Sequence, residues 1–170
     1  EIRLLSDGIN LRPHQYSPDG KLIVYGAGDP KTSQDLMLLS IDAEAKDRKP
    51  MPLLNSRFNE MHGQLSPDQK WIAYTSDSTG RREIYVQSFP AADSLTKISI
   101  DGGEMARWRR DGRELFFISS TGKMMAVSVK LGAGPKPSFE AGTPEPLFDS
   151  HIVNSVITNS LHQYDVTADG

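Results

Sequence analysis

The fold is decided by residues 65–75, which read LSPDQKWIAYT. A turn phrase, SPDQ at 66–69, leads directly into a run of aromatic and β-branched residues that begins at Trp71. Proline presets φ at about −65° in a turn, and aspartate accepts hydrogen bonds from the backbone N–H groups that follow it. Short runs of this composition, bounded by turn formers, favour strands over helices. The stretch therefore predicts the tight turn of a β-hairpin.

The turn phrase occurs four times in the chain. It reads SPDG at 17–20, SPDQ at 66–69, RRDG at 109–112 and TADG at 167–170, and its aspartates are 49, 43 and 58 residues apart. Further strand-like runs follow the first three copies, and a repeat of this period is typical of four-stranded β-propeller blades. Turn formation is the role we assign to Asp19, Gly20, Asp68, Asp111, Gly112, Asp169 and Gly170.

The repeat predicts an all-β fold, a partial β-propeller of three four-stranded antiparallel blades with flanking stub strands. The predicted blades span 9–55, 56–102 and 103–150. Residues 1–8 are predicted to be the outer strand of a preceding blade, and 151–170 the start of a following one. An extended loop is predicted between Leu131 and Ser150, before the last strand, and residues 146–148 are predicted to form the strand that closes the third blade. Closed propellers usually have four to eight blades. We therefore expect about half of a larger ring, or a chain that pairs with another copy.

Composition narrows the classes of partner. The chain has 19 basic and 22 acidic residues, so its net charge of −3 gives no reason to expect a nucleic acid or an anionic membrane. Its apolar runs are at most four residues long, which predicts no membrane insertion. It has no cysteine, which excludes disulfides and thiolate metal sites. The first residue is Glu1 rather than Met, and we expect the natural N-terminus to lie upstream or to have been removed.

Residues 65–77 and 83–86 together resemble the TolB-like, WD40-like (PD40) propeller repeat. The resemblance extends over nearly the whole chain and is strongest from 63 to 86. Residues 103–148 resemble blades of bacterial propellers that are fused behind eukaryotic-type Ser/Thr kinase domains or winged-helix regulators. The resemblance implies a ring of six or seven blades, used mostly for protein binding or sensing.

A search for catalytic motifs finds no G-x-S-x-G elbow, no P-loop and no H-E-x-x-H. Three histidines lie near the starts of predicted inner strands: His14, His62 and His162. Relatives of the oligogalacturonate lyase type use channel histidines and a glutamine to hold a divalent metal. Here, however, the histidines precede their turn aspartates by five, six and seven residues. Because strand side chains alternate between faces, we predict scattered polar residues at the blade mouths rather than a metal site.

An arginine-rich segment surrounds Trp108, at 107–113. Its acidic neighbours offset the charge, so we predict packing between blades rather than contact with nucleic acid. At the inner-strand position of Trp108 the other blades have Tyr16 and Leu65, for which we predict the same packing. Together with the three histidines, Arg107 completes the set of candidate channel-mouth or surface residues.

These observations predict a non-catalytic propeller segment without a cofactor, a protein- or ligand-binding or sensor module of a larger bacterial protein. The partner would be a protein or small ligand at one mouth, with the remaining blades or another copy completing the ring. Two enzyme alternatives stay open, a metal-dependent lyase and the gating propeller of a prolyl-oligopeptidase-type peptidase. The compartment is not fixed by the sequence, and a periplasmic or other extracytoplasmic location is the expectation carried forward.

Overall fold

Three antiparallel sheets follow one another along the chain. The computed structural model describes residues 11–31, 33–42, 44, 47–132, 134, 137–152 and 162–170. The first sheet contains β1 (Arg12–Tyr16), β2 (Leu22–Asp29), β3 (Ser33–Ser40) and β4 (Pro50–Leu54). The second contains β5 (Glu60–Leu65), β6 (Trp71–Ser76), β7 (Glu83–Ser88) and β8 (Leu95–Lys97). The third contains β9 (Gly103–Trp108), β10 (Glu114–Ser119), β11 (Lys123–Gly132), β12 (Ser138–Ala141) and β13 (Glu145–Asp149).

Each sheet is a blade in which consecutive strands pair as neighbours. The first two blades have the strand orders β1-β2-β3-β4 and β5-β6-β7-β8, the simple up-and-down order of a propeller blade. This confirms the predicted fold class. The strands of the three blades lie within the ranges predicted for them, whereas the outer strand predicted over 1–8 lies outside the described residues. In the part of the chain that the structure describes, no helix could cross a membrane.

The third blade departs from the predicted pattern. The extended loop predicted before the last strand is wrong, because this segment contains the additional strand β12, whereas β13 confirms the closing strand predicted at 146–148. The ten-residue strand β11 pairs with β13 along its first half and with β12 along its second. Phe139 on β12 packs against Trp71, with ring centroids 5.2 Å apart. The hairpin formed by β11 and β12 therefore extends the third blade over the core that the second and third blades share.

Apolar side chains fill the spaces between blades. One buried cluster joins the first and second blades through Val24, Leu36 and Ile72. A larger cluster joins the second and third blades, around Trp71 and Phe117, which are each 2% exposed. The prediction that Tyr16 packs between blades is wrong, because its side chain is 62% exposed.

The repeated phrase forms a tight turn in all four copies. Gly20, Gln69, Gly112 and Gly170 have positive φ values of 73°, 56°, 73° and 105°. In the first copy, Gly20 N–H donates to Ser17 O at 2.8 Å, and Lys21 N–H donates to the Asp19 carboxylate at 3.1 Å. Asp68 and Asp111 accept the corresponding hydrogen bonds from Lys70 and Arg113. The aspartates therefore hold the backbone of the turns.

Each inner strand also contains a β-bulge, which the sequence did not predict. In the first blade, the bulge falls between Pro13 and Gln15, so His14 has no direct partner on β2. In the second, two residues, His62 and Gly63, face one residue of β6. In the third, Met105 and Ala106 take the same place. His62 and Met105 have φ values of 55° and 62°. An extra residue re-aims the side chains of a strand without ending its pairing.

The last described segment, 162–170, lies against the third blade. Tyr164 and Val166 pack on a cluster formed by Phe116, Ile118 and Met124, and the Tyr164 hydroxyl donates to Met105 O at 2.6 Å. No strand is assigned across these described residues, although an inner strand was predicted there.

Candidate functional site

The candidate site is an opening on the side of the blades where the repeated turns lie, which we call the turn-side mouth. It has a volume of about 220 Å³ and is lined by Gln15, Pro18, Gln64, Leu65, Pro67, Arg107, Trp108, Arg110 and Asp165. Four of these residues lie four positions before a turn aspartate: Gln15, Gln64, Arg107 and Asp165. Every blade thus contributes the same position to one concave surface.

Hydrogen bonds between neighbouring inner strands hold this row of four residues. The Gln15 amide accepts from Leu65 N–H at 2.6 Å and lies 3.3 Å from Leu65 O. Gln64 donates to His14 O at 3.2 Å, and Arg107 Nη1 donates to Gln64 Oε1 at 3.1 Å. Trp108 Nε1 donates to Gln64 O at 3.0 Å. These bonds fix the spacing of the blades at the mouth and orient the Arg107 side chain.

The three candidate histidines meet beneath the row. The ring centroids of His14 and His62 are 6.0 Å apart, those of His14 and His162 are 6.2 Å apart, and those of His62 and His162 are 5.2 Å apart. The prediction of scattered side chains is therefore wrong. It assumed strict alternation along each strand, and the bulges break that alternation. Spacings of five and six residues can then direct side chains to one place.

Burial keeps His14 and His162 neutral. Desolvation, followed by the charges of neighbouring histidines and arginines, lowers the pKa of His14 to about 3. Desolvation and the nearby Arg107 guanidinium lower the pKa of His162 to about 2, although a hydrogen bond to the backbone of Ala106 acts in the opposite direction. Two buried imidazoles without charge leave Arg107 as the main charged group of this region.

Hydrogen bonding decides against a metal ion at this cluster. Gly63 N–H donates to His14 Nδ1 at 3.2 Å, so the neutral His14 ring carries its proton on Nε2. A metal needs an unprotonated nitrogen, and neither nitrogen of His14 offers a free one. Among the described residues, no group of three histidine, cysteine, aspartate or glutamate side chains could hold a metal ion. The metal site of the lyase alternative therefore does not fit these residues.

Within the arginine-rich segment, Arg109 is neutralised by carboxylates of the same segment. Arg109 pairs with Glu114 at 2.7 Å and with Asp111 at 3.5 Å, and Glu114 is the first cause of its raised pKa. Arg107 is separated from this group and faces the inner strands. Of the segment, Arg107, Trp108 and Arg110 line the turn-side mouth.

The sequence search missed Gln15, Gln64 and Asp165 as a set with Arg107. The signal that could have found the set is the equal distance of all four residues from the turn aspartate. A repeat places equal positions of successive blades at equal places around the axis.

The similarity of the three-bladed chain to solved propellers identifies the fold. The chain is similar to the putative TolB from Agrobacterium tumefaciens, with a TM-score of 0.61 and 19% identity over 84% of this chain and 52% of that one. It is also similar to TolB from Acinetobacter baumannii, with a TM-score of 0.58 and 20% identity over 82% of this chain and 33% of that one. The fold is that of a TolB-like β-propeller.

The comparisons reach no further than the fold. The chain spans about half the length of the first of these proteins and a third of the second. No family model and no curated protein matches the chain. The propeller's own residues therefore indicate what it binds.

Proposed function

We propose that the chain is the binding segment of a bacterial TolB-like propeller, which takes a protein or small ligand at the turn-side mouth and performs no chemistry itself. The observation that carries this proposal is the row formed by Gln15, Gln64, Arg107 and Asp165, which each lie four positions before a turn aspartate and line a single opening. Loops and strand ends that converge on a rigid scaffold are the common location of binding sites.

The groups that line the mouth suit binding better than catalysis. Two amides donate and accept hydrogen bonds and two guanidinium groups donate them, but none of these groups exchanges protons near neutral pH. Asp165 is the one carboxylate among the described lining residues, and its side chain is 86% exposed. General acid–base catalysis uses a group whose pKa is set near the working pH. We therefore place the partner, rather than a reaction, at this surface.

The setting of this segment is also part of the proposal. We infer that further blades, or a second copy, complete the ring, and that the whole protein is a sensor that works outside the cytoplasm. The similarity to TolB structures that are longer than this chain supports the first inference. The gene sequence on both sides of this segment tests it, because further turn phrases at the same period, or a fused kinase or regulator domain, would be readable there.

Selection of peptides from a displayed library tests the binding role. The 170-residue chain is the bait, and each selected peptide is measured again on two charge-reversed variants. Arg110→Glu changes an exposed residue of the mouth, whereas Lys123→Glu changes an exposed residue at the opposite ends of the strands. We expect the first variant to weaken binding and the second to leave it unchanged. Peptides that respond only to Lys123→Glu would contradict the proposal.

A further inference from the structure

The inner strands hold positive charge whose hydrogen-bonding capacity is incompletely used. Arg107 Nε is buried and has no hydrogen-bond partner, and the same is true of Arg12 Nη1 on the first blade. Both guanidinium charges lie near enough to His14 to lower its pKa. A buried charged donor without an acceptor costs free energy, and it costs more in a region shielded from water.

The carboxylate that faces Arg107 is a weak partner for it. Asp165 Oδ1 lies 3.9 Å from Arg107 Nε, beyond hydrogen-bond distance, and the Asp165 side chain is 86% exposed. The Arg107 side chain is only 19% exposed. Its Nη1 donates to a neutral amide oxygen of Gln64. An exposed ion pair contributes little, since water and salt screen it. The Nε side of Arg107 is therefore left for another acceptor.

His14 does not serve as the missing acceptor, because its Nδ1 accepts from Gly63 N–H and its Nε2 carries the proton. The opening of about 220 Å³ is smaller than the pockets that hold drug-sized ligands. It has room for one side chain, and Pro18, Pro67 and Trp108 give it apolar walls.

From this geometry we propose that the turn-side mouth recognises a carboxylate, presented by a glutamate or aspartate side chain of a partner peptide, and that Arg107 is the residue that binds it. Guanidinium and carboxylate groups match in shape and form charge-assisted hydrogen bonds. The incoming carboxylate would take the place that Asp165 now holds loosely. This inference rests on the proposed binding role of the mouth and adds the chemical class of the ligand.

The test follows the Arg Nε–H signals of the ¹⁵N-labelled 170-residue chain by NMR. The probes are the capped tripeptides Gly-Glu-Gly and Gly-Gln-Gly, which differ in one charge, and free glutarate. We expect saturable shifts of the Arg107 signal with the glutamate peptide and none with the glutamine peptide. Free glutarate shows whether the mouth prefers the carboxylate of a peptide side chain or that of a small acid. Binding at least as tight as that of the glutamate peptide would overturn the peptide assignment in favour of a small acid.

Three variants make the test specific. Arg107→Gln should weaken glutamate-peptide binding about tenfold or more, the effect of losing a charged hydrogen bond. Arg113→Gln removes the same charge from an exposed side chain and should leave the affinity unchanged. Asp165→Asn removes the competing carboxylate and should tighten binding several-fold. Because Asp165 is exposed, this variant remains informative even if Arg107→Gln fails to fold.

The outcomes separate the two proposals. Equal binding of the glutamate and glutamine peptides, or weaker binding by Asp165→Asn, would overturn the carboxylate assignment. If neutral peptides from the library still bind at the mouth and respond to Arg110→Glu, the proposed binding function is supported even though the carboxylate assignment is wrong. If no peptide responds to Arg110→Glu, the proposed function fails as well.

Discussion

The turns and the bulges of the inner strands recur together in the blades but obey different rules. The turns repeat in sequence, with an aspartate and a residue of positive φ in all four copies. The bulges repeat in structure only, since they contain His14 in one blade, His62 and Gly63 in the next, and Met105 and Ala106 in the third. A turn is determined by its own few residues. A bulge is determined by the pairing of two strands and the packing around them.

This difference explains why the turns could be predicted from the sequence and the bulges could not. A turn is formed by four consecutive residues, so the sequence of those four residues is enough to predict it. The meeting of His14 and His62 depends on two separate register shifts, and neither shift has a fixed residue type. A variant that disturbs a bulge should therefore have distant effects, whereas a variant in a turn should act where it is made.

Gly63→Ala should have the largest effect among the single changes considered. A Cβ at this position would lie 2.8 Å from Leu36 Cδ1 and 3.0 Å from Val24 Cγ1. Both neighbours are fully buried. Overpacking of this kind costs typically about 1–3 kcal/mol. We expect a loss at the upper end of that range in the free energy of unfolding, measured in urea.

Gly80→Ala is the control for adding a methyl group without a clash. A Cβ at Gly80 meets no atom within 4 Å, but its φ is +87°, a conformation that Gly63 does not share. The control therefore costs about 1 kcal/mol through its backbone alone, and the packing cost of Gly63→Ala should exceed that value. Since Gly63 N–H also bonds to His14, Gly63→Ala should shift the His14 ring signals in NMR, and Gly80→Ala should not. Equal costs, with no shift in His14, would show that the bulge is not tightly packed.

The sequence was a sufficient guide to the blades and their order because turn residues and alternating strands report local structure. It was sufficient for the role of Asp68 in the turn, and it failed at β12, where Phe139 gains its place by packing on Trp71 in another blade. It failed again at the histidines. Both failures involve contacts between residues far apart in the chain, which no local pattern encodes.

Acid should destabilise the protein through the buried histidines. The pKa of His14 is about 3 in the folded chain, against 6.5 for the unfolded value. Between these values the unfolded chain binds more protons, so stability is fully present above about pH 6.5 and falls as the pH drops towards 3. Near pH 6 the slope should be about 1 kcal/mol per pH unit for each such histidine.

Urea unfolding at several values between pH 7 and 5.5 measures this slope. His14→Gln should reduce it by the contribution of one histidine. His151→Asn is the control, because His151 is exposed and should leave the slope unchanged. The window stays above the range in which most carboxylates titrate. A slope that is the same in the wild type and in His14→Gln would show that His14 is solvated in the folded chain.

Gln69→Gly should have the smallest effect, and of the opposite sign. Gln69 has a φ of 56°, where the other copies of the turn have glycine. A left-handed conformation costs about 1–2 kcal/mol for a residue with a Cβ. Glycine avoids this cost, but it lowers stability by about 0.4–1 kcal/mol because it increases the conformational entropy of the unfolded chain. We expect a net gain of about 1 kcal/mol or less in urea unfolding.

Gly20→Gln is the reverse of this change and should cost a similar amount. Gly20 has a φ of 73°, and an added Cβ would meet no atom within 4 Å. The pKa of Asp19 is lowered first by its hydrogen bond with Ser17, and the nearby Gln69 side chain of the neighbouring turn also contributes. Gln69→Ala keeps the positive φ and removes this side-chain contact, so it measures the contact alone. If Gln69→Gly destabilises the protein as much as Gln69→Ala does, the contact between neighbouring turns outweighs the backbone strain. The turns would then depend on their neighbours, as the bulges do.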